Sequence, residues 1–289
     1  MVWPGFTNHL ETLGDVSIGW SMGGSGPPVL LLHGFPQTRA LWAKVAPALA
    51  EHYTVICPDL RGYGQSGKPT PVSAYTFREM ARDQVALMTH LGFEQFSVVG
   101  HDRGGRVGHR LALDYPDRVR CLCVMDIIPT HTLLNDLRQD VAAVYYHWFF
   151  LAQPDPLPER LIAADADFYF NACLSGWGKA GLEQFDADQL AQYRSAWSDP
   201  DTIRGMCNDY RATLTHDFHH DAQDLGAEVT CPLHVVYGND GVMAALFDFE
   251  ESWAPKVSEV HMHALSGGHF FIDTHPDETI KALESVLSS

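Results

Sequence analysis

Short runs of apolar, often β-branched residues punctuate the first half of the chain and return near its end. Pro28 to Leu32, Tyr53 to Cys57, Phe96 to Val99, Val119 to Met125 and Leu233 to Tyr237 are apolar at successive rather than alternate positions. A strand with one face in water alternates, whereas a strand covered on both faces does not, so these runs predict a parallel sheet. Between them, Leu41 to Glu51, Thr76 to Leu91 and Arg106 to Tyr115 carry helical spacing. Strand and helix thus alternate, and the expected architecture is a mostly parallel, doubly wound α/β sheet. Ahead of it, Leu10 to Trp20 alternates as an antiparallel edge hairpin does.

From about Thr130 to about Gly226 the strand signal stops, and helix-like segments rich in Tyr, Trp, Phe and His follow one another. This predicts a helical cap inserted between two core strands. The expected divisions are a first core part over 1–129, a cap over 130–226 and a second core part over 227–289. The last closes with a strand near Val260 to Leu265, a loop, and a helix over Pro276 to Leu287.

Composition narrows the classes of partner. With 289 residues, 46% of them hydrophobic, the chain can bury its own core, and its net charge of -17 repels phosphate backbones and anionic membrane surfaces. No nucleic acid or membrane partner is expected. A small anion is not excluded, because charges more than about 8 Å apart are screened and local arginines dominate. Six cysteines without a CxxC pair read as thiols of a reducing compartment. No basic start with a signal-length apolar run and no stretch of eighteen apolar residues occurs, so a cytoplasmic protein is expected.

The sharpest chemical signal is Val98-Val99-Gly100-His101-Asp102-Arg103-Gly104-Gly105, a strand running through a glycine-flanked turn into a helix. That is the layout of a nucleophile elbow, in which small neighbours let one side chain stand on a strained turn above the sheet. The exposed position holds Asp. A carboxylate attacks saturated carbon by displacement and leaves an ester that water must hydrolyse. The competing reading, that Asp102 merely caps the helix, leaves glycine on both sides unexplained. His33-Gly34-Phe35-Pro36 follows an earlier strand, where a backbone N–H can join that of Arg103 as an oxyanion hole. His269, in Ser266-Gly267-Gly268-His269-Phe270, has the place of a general base after the last strand. Two acids could orient it: Asp126 after Val119 to Met125, and Asp240 after Leu233 to Tyr237. Both lie at the carboxyl edge of the sheet, and spacing does not separate them.

Taken together, HGFPQT, DLRGYGQS, GHDRGGR, the Asp126-Ile127-Ile128-Pro129-Thr130 run, GGHFF and the cap run YHWFFLAQP resemble the fluoroacetate dehalogenase family. The likeness covers almost the whole chain. The core motifs are shared with epoxide hydrolases and haloalkane dehalogenases, so the cap run is the specific part. The resemblance implies an α/β-hydrolase fold with Asp102 as nucleophile, His269 as base and Asp126 as its partner; Asp240 departs from the family pattern at its loop.

Arg103 and Arg106, one and four residues beyond Asp102, suit a substrate carboxylate held by forked hydrogen bonds. The bland reading of Arg106 is a surface salt bridge. The resemblance further implies that His147, Trp148 and Tyr210 bind the departing halide, that Phe35 and Trp177 wall a pocket for a two-carbon acid, and that the protein is a homodimer. Without it, YYHWFF reads as the buried stripe of a helix. The implied reaction is hydrolysis of a haloacetate by water through an aspartyl ester, with no metal or organic cofactor. An epoxide hydrolase would use the same Asp and His with Tyr210 and Tyr145 or Tyr146 as ring-protonating acids. A binding protein that kept the fold and lost the chemistry is the third possibility.

Overall fold

The structure is a computed structural model, and it describes residues 3–135, 137–176 and 180–288. Eight strands, β1 (Phe6–Leu13), β2 (Val16–Gly23), β3 (Pro28–Leu32), β4 (Thr54–Pro58), β5 (Phe96–His101), β6 (Val119–Met125), β7 (Leu233–Gly238) and β8 (Val260–Leu265), are joined in one sheet. Their order is β1-β2-β4-β3-β5-β6-β7-β8. β2 runs antiparallel to β1 and β4, and every other neighbouring pair is parallel.

The apolar runs form this sheet because both faces are covered. Leu30, Leu32, Val98, Val124 and Val235 point into one core cluster, while Val29, Leu31, Val99, Cys123 and Val236 point into the other. Each such side chain removed from water contributes about 1.5–3 kcal/mol, so a polar residue at any of these positions is costly.

After β3 the chain adds β4 on one side and β5 on the other. Loops leaving the carboxyl ends of β3 and β5 therefore diverge and open a crevice. The loop beginning at His33 and the turn at Asp102 stand on either side of it.

Between β6 and β7 the described residues hold helices and no strand. Of the helices expected in the core, Phe77–His90 is capped by Thr76, whose side chain accepts from the Glu79 N–H at 3.2 Å. Pro276–Leu287 also lies where its pattern placed it. Leu41 to Glu51 does not form one helix. A 3-10 turn over Arg39–Lys44 is followed by a single helical turn, Ala46–Leu49, because Pro47 has no N–H to donate and starts a new turn rather than extending the old one. The third helix spans Arg103–Asp114 and so begins before Arg106, immediately after Asp102. No helix among the described residues is long and apolar enough to cross a membrane.

Candidate active site

Asp102 is the joint between β5 and the helix Arg103–Asp114. Its backbone sits at φ 48°, ψ -114°, a conformation that costs a non-glycine residue about 1–3 kcal/mol. The turn is tight enough that its glycines are obligatory. A Cβ on Gly100 would lie 2.3 Å from the Gly104 carbonyl oxygen, and one on Gly104 would lie 2.5 Å from that of Leu32. The Asp102 side chain makes no capping hydrogen bond to the helix, so the capping explanation fails. Instead, Oδ1 accepts the Phe35 N–H at 2.8 Å, and Oδ2 lies 4.0 Å from Nε2 of His269.

His269 is held from its other side. Its Nδ1 is 2.6 Å from Oδ2 of Asp126, whose Oδ1 accepts the Gly238 N–H at 3.3 Å. Asp126 too has a positive φ, 52°. Asp240 lies elsewhere: its side chain is exposed, and Oδ2 accepts the Gly267 N–H at 3.1 Å. Of the two acids that spacing left equivalent, only Asp126 touches the imidazole; Asp240 ties the loop that carries it.

Charge is distributed to keep the carboxylate ionised. Burial on its own would raise the Asp102 carboxyl, but the facing His269, His101, Arg103 and Arg106 outweigh it and hold it down at about 2. Burial disfavours protonated His269, yet the hydrogen bond and charge of Asp126, with the charge of Asp102, raise its pKa above the ordinary imidazole value. His101 packs at a tilt against His269 with ring centroids 4.6 Å apart, and its Nε2 is 2.8 Å from the His269 carbonyl oxygen.

The two arginines differ. Arg103 is fully buried and largely committed: Nε donates to Oδ2 of Asp209 at 2.9 Å, and Nη2 meets Oδ1 of Asp209 and the Thr213 hydroxyl. A forked grip on a substrate is therefore not open to it, and only Nη1 lacks a partner among the described residues. Arg106 is also buried, which rules out the surface salt bridge. Its Nη1 donates to the Ile128 carbonyl and the Thr130 hydroxyl, each at 3.1 Å, while Nε has no partner among the described residues. Burial lowers the Arg106 pKa, with the Asp102 charge as the leading counterweight.

The aromatic residues converge. Trp148 and Tyr210 are buried, their centroids 5.6 Å apart, and neither the indole N–H nor the phenol O–H has a partner among the described residues. His147 packs between them and the front of the site, 5.7 Å from Tyr210 and stacked at 6.1 Å on Phe35. Burial drives His147 down to about 3, so its ring is neutral. The guanidinium of Arg103 lies 4.4 Å from the Tyr210 ring, and that of Arg106 lies 4.7 Å from the Trp148 ring. Tyr145 is partly buried in the same group, whereas Tyr146 is 48% exposed and meets only the edge of His147, with ring centroids 6.0 Å apart. Trp177 lies outside the described residues.

A cavity of about 30 Å³ opens on Asp102, Asp126 and His269. Its remaining walls are Val144, Tyr145, His147, Val242 and Met243, with the Tyr145 hydroxyl donating to the Met243 sulfur. Val144, Val242 and Met243 carried no signal in the sequence, being ordinary apolar residues in segments without a motif. Asp209 was also missed; an acid on an otherwise buried helix, Pro200–Ala212, was the available hint.

The described geometry joins an elbow aspartate, a carboxylate-oriented histidine and buried N–H and O–H donors. Residues 27–276 match the family model of the α/β hydrolase fold. A fluoroacetate dehalogenase from Burkholderia sp is 51% identical over 99% of this chain and 95% of its own length. A soluble epoxide hydrolase from Corynebacterium sp. (strain C12) is 32% identical over 95% of this chain and 94% of its own. Among solved structures, a protein described as an α/β hydrolase from Nostoc sp PCC 7120 superposes with a TM-score of 0.96, at 43% identity and 99% coverage of both chains. By the family model the chain is an α/β hydrolase, and by its near-full-length likeness to the Burkholderia protein it belongs to the fluoroacetate dehalogenase family within that fold.

Proposed function

We propose that the protein hydrolyses haloacetates, fluoroacetate to glycolate and fluoride, through an ester on Asp102. The observation that carries this reading is Arg106: a buried guanidinium beside the elbow with no carboxylate on it among the described residues. A buried guanidinium with no carboxylate hydrogen-bonded to it is expensive even with the Asp102 charge nearby, and a substrate carboxylate lowers that cost on binding. Nη1 of Arg103 adds one further donor. An epoxide carries no such anion.

With the acid so held, Oδ2 of Asp102 attacks the carbon bearing the halogen, while Oδ1 stays on the Phe35 N–H. Fluoride must exchange its hydration for fixed donors, and Trp148, Tyr210 and His147 supply them from apolar surroundings that admit little water. Neutral His269 then takes a proton from water as that water attacks the ester carbonyl. The negative charge that develops on Oδ1 falls on the Phe35 N–H, and Asp126 stabilises the imidazolium. Glycolate leaves with an oxygen from Asp102. The same reading includes a cytoplasmic homodimer, supported by the buried thiols of Cys57, Cys121, Cys123, Cys173 and Cys207 and by exposed Leu157, Leu161 and Phe168.

One observation favours the epoxide hydrolase reading as the alternative: Tyr145 and Tyr210 both flank His147. A fluoride electrode with fluoroacetate, run beside diol formation from styrene oxide, separates the two. Fluoride release without diol is expected; diol without fluoride overturns the proposal.

A further inference from the structure

A buried carboxylate away from the reacting groups ties three segments of the site together. Asp273 is 2% exposed and lies in the turn Phe271–Thr274 that follows His269. Its Oδ2 accepts Nε2 of Gln37 at 2.7 Å, and its Oδ1 accepts the Tyr193 hydroxyl at 2.8 Å. Both donors are neutral. Burial without a hydrogen-bonded cation pushes this carboxyl up to about 7, against the weaker pull of its two donors and of Lys44. A carboxylate kept in such a place is kept for the bonds it accepts.

The donors belong to the two other segments. Gln37 closes the turn that starts at Gly34, its N–H donating to the Gly34 carbonyl at 3.0 Å, and this turn presents the Phe35 N–H to Asp102. Tyr193 lies on the helix Ala187–Trp197 of the insertion, whose Trp197 stacks at 4.9 Å on Phe170. Phe170 packs edge-on against Phe35, and Phe35 packs against Tyr210 and His147. One carboxylate thus spans the base loop, the oxyanion turn and the helical insertion that holds the halide donors.

We infer that Asp273 and Tyr193 are positioning residues that seat the insertion, and with it His147, Trp148 and Tyr210, against the turn bearing Phe35. This rests on the dehalogenase reading above. Neither residue touches the reacting atoms, so their effect must pass through the halide donors, and it must depend on the leaving group. Fluoride needs those donors most and bromide least, because the carbon–bromine bond breaks with far less help. Binding of the acid by Arg106 changes less, because that residue stands on the core helix Arg103–Asp114 and is also held by the Ile128 carbonyl.

The test is steady-state kinetics of Tyr193→Phe with fluoroacetate and with bromoacetate. This variant loses only a hydroxyl, and Gln189 on the same helix still donates to the Ala40 and Leu41 carbonyls at 2.9 and 3.1 Å, so the helix stays docked. The expected result is a kcat for fluoroacetate lowered about tenfold, a kcat for bromoacetate lowered less than threefold, and KM for both within about twofold of the parent. Asp273→Asn should act in the same direction and more strongly, and the double variant should be no worse than Asp273→Asn alone. Equal loss on both substrates, as a reduced folded fraction gives, overturns the inference, as does unchanged kcat on both. Fluoride release by the parent enzyme is measured alongside. Its absence sinks the dehalogenase reading, whereas its presence with a leaving-group-blind Tyr193→Phe sinks only the positioning role.

Discussion

At the scale of single residues, the two oxygens of Asp102 are already distinguished. Oδ1 is fixed by the Phe35 N–H, and Oδ2 faces His269 across 4.0 Å, too far for a direct hydrogen bond. That gap leaves His269 free to serve the second half of the reaction rather than the first. His269→Asn should therefore release one halide per active site in a burst and then stop, as read by rapid-quench halide assay. Repeated turnover by that variant would remove His269 from its role. The pH profile follows from the same group. The raised pKa of His269 means that the neutral base is lost as pH falls through a value above 6.5, while Asp102, held at about 2, stays ionised throughout. The expected kcat profile is a single acid limb with its midpoint above 6.5; a midpoint near 4 would point to another group. Replacing one charge-directed donor costs about 10²–10³ in rate, so Trp148→Phe should lower kcat for fluoroacetate by about 10²-fold and for bromoacetate much less.

At the scale of elements, the sheet was legible because every central strand is apolar on both faces, a pattern that few other environments permit. Asp102 and His269 were marked by glycine-flanked turns, whereas His147, Trp148 and Tyr210 were singled out only through the family resemblance, the run YYHWFF by itself reading as a buried stripe. What the chain did not declare was side-chain choice between equivalent places. Asp126 and Asp240 end adjacent parallel strands, and only the fold shows which one meets the imidazole. Nor does any spacing rule pair Arg103 with Asp209, since they belong to helices that meet only when the insertion is docked. The one failed helix, Leu41 to Glu51, failed for a local reason visible in the sequence, Pro47. Met243 tests the pocket at this scale. It closes the cavity beside Tyr145, and shortening it by Met243→Ala should admit 2-halopropionate, with fluoroacetate turnover retained. Unchanged exclusion of the larger acid would place the limiting wall elsewhere.

At the scale of the whole molecule, core and insertion are joined by buried polar contacts as well as by apolar packing. One of them pairs the fully buried side chains of Arg103 and Asp209, the latter also accepting the Tyr63 hydroxyl at 2.7 Å. Removing one partner of a buried pair leaves the other charge stranded, so Asp209→Asn should cost about 3–5 kcal/mol, seen as a lowered midpoint in thermal unfolding. No change in that midpoint would show that the pair is not holding the two parts together. All of this machinery presupposes a covalent ester on Asp102, and the origin of the oxygen in the product reports on it. A single turnover of fluoroacetate should be run in heavy-oxygen water with enzyme in excess. The product glycolate should carry an unlabelled hydroxyl oxygen, with the label left on the Asp102 carboxylate. A labelled hydroxyl in glycolate from that first turnover would mean that water attacked the substrate directly, and would contradict the mechanism at its centre.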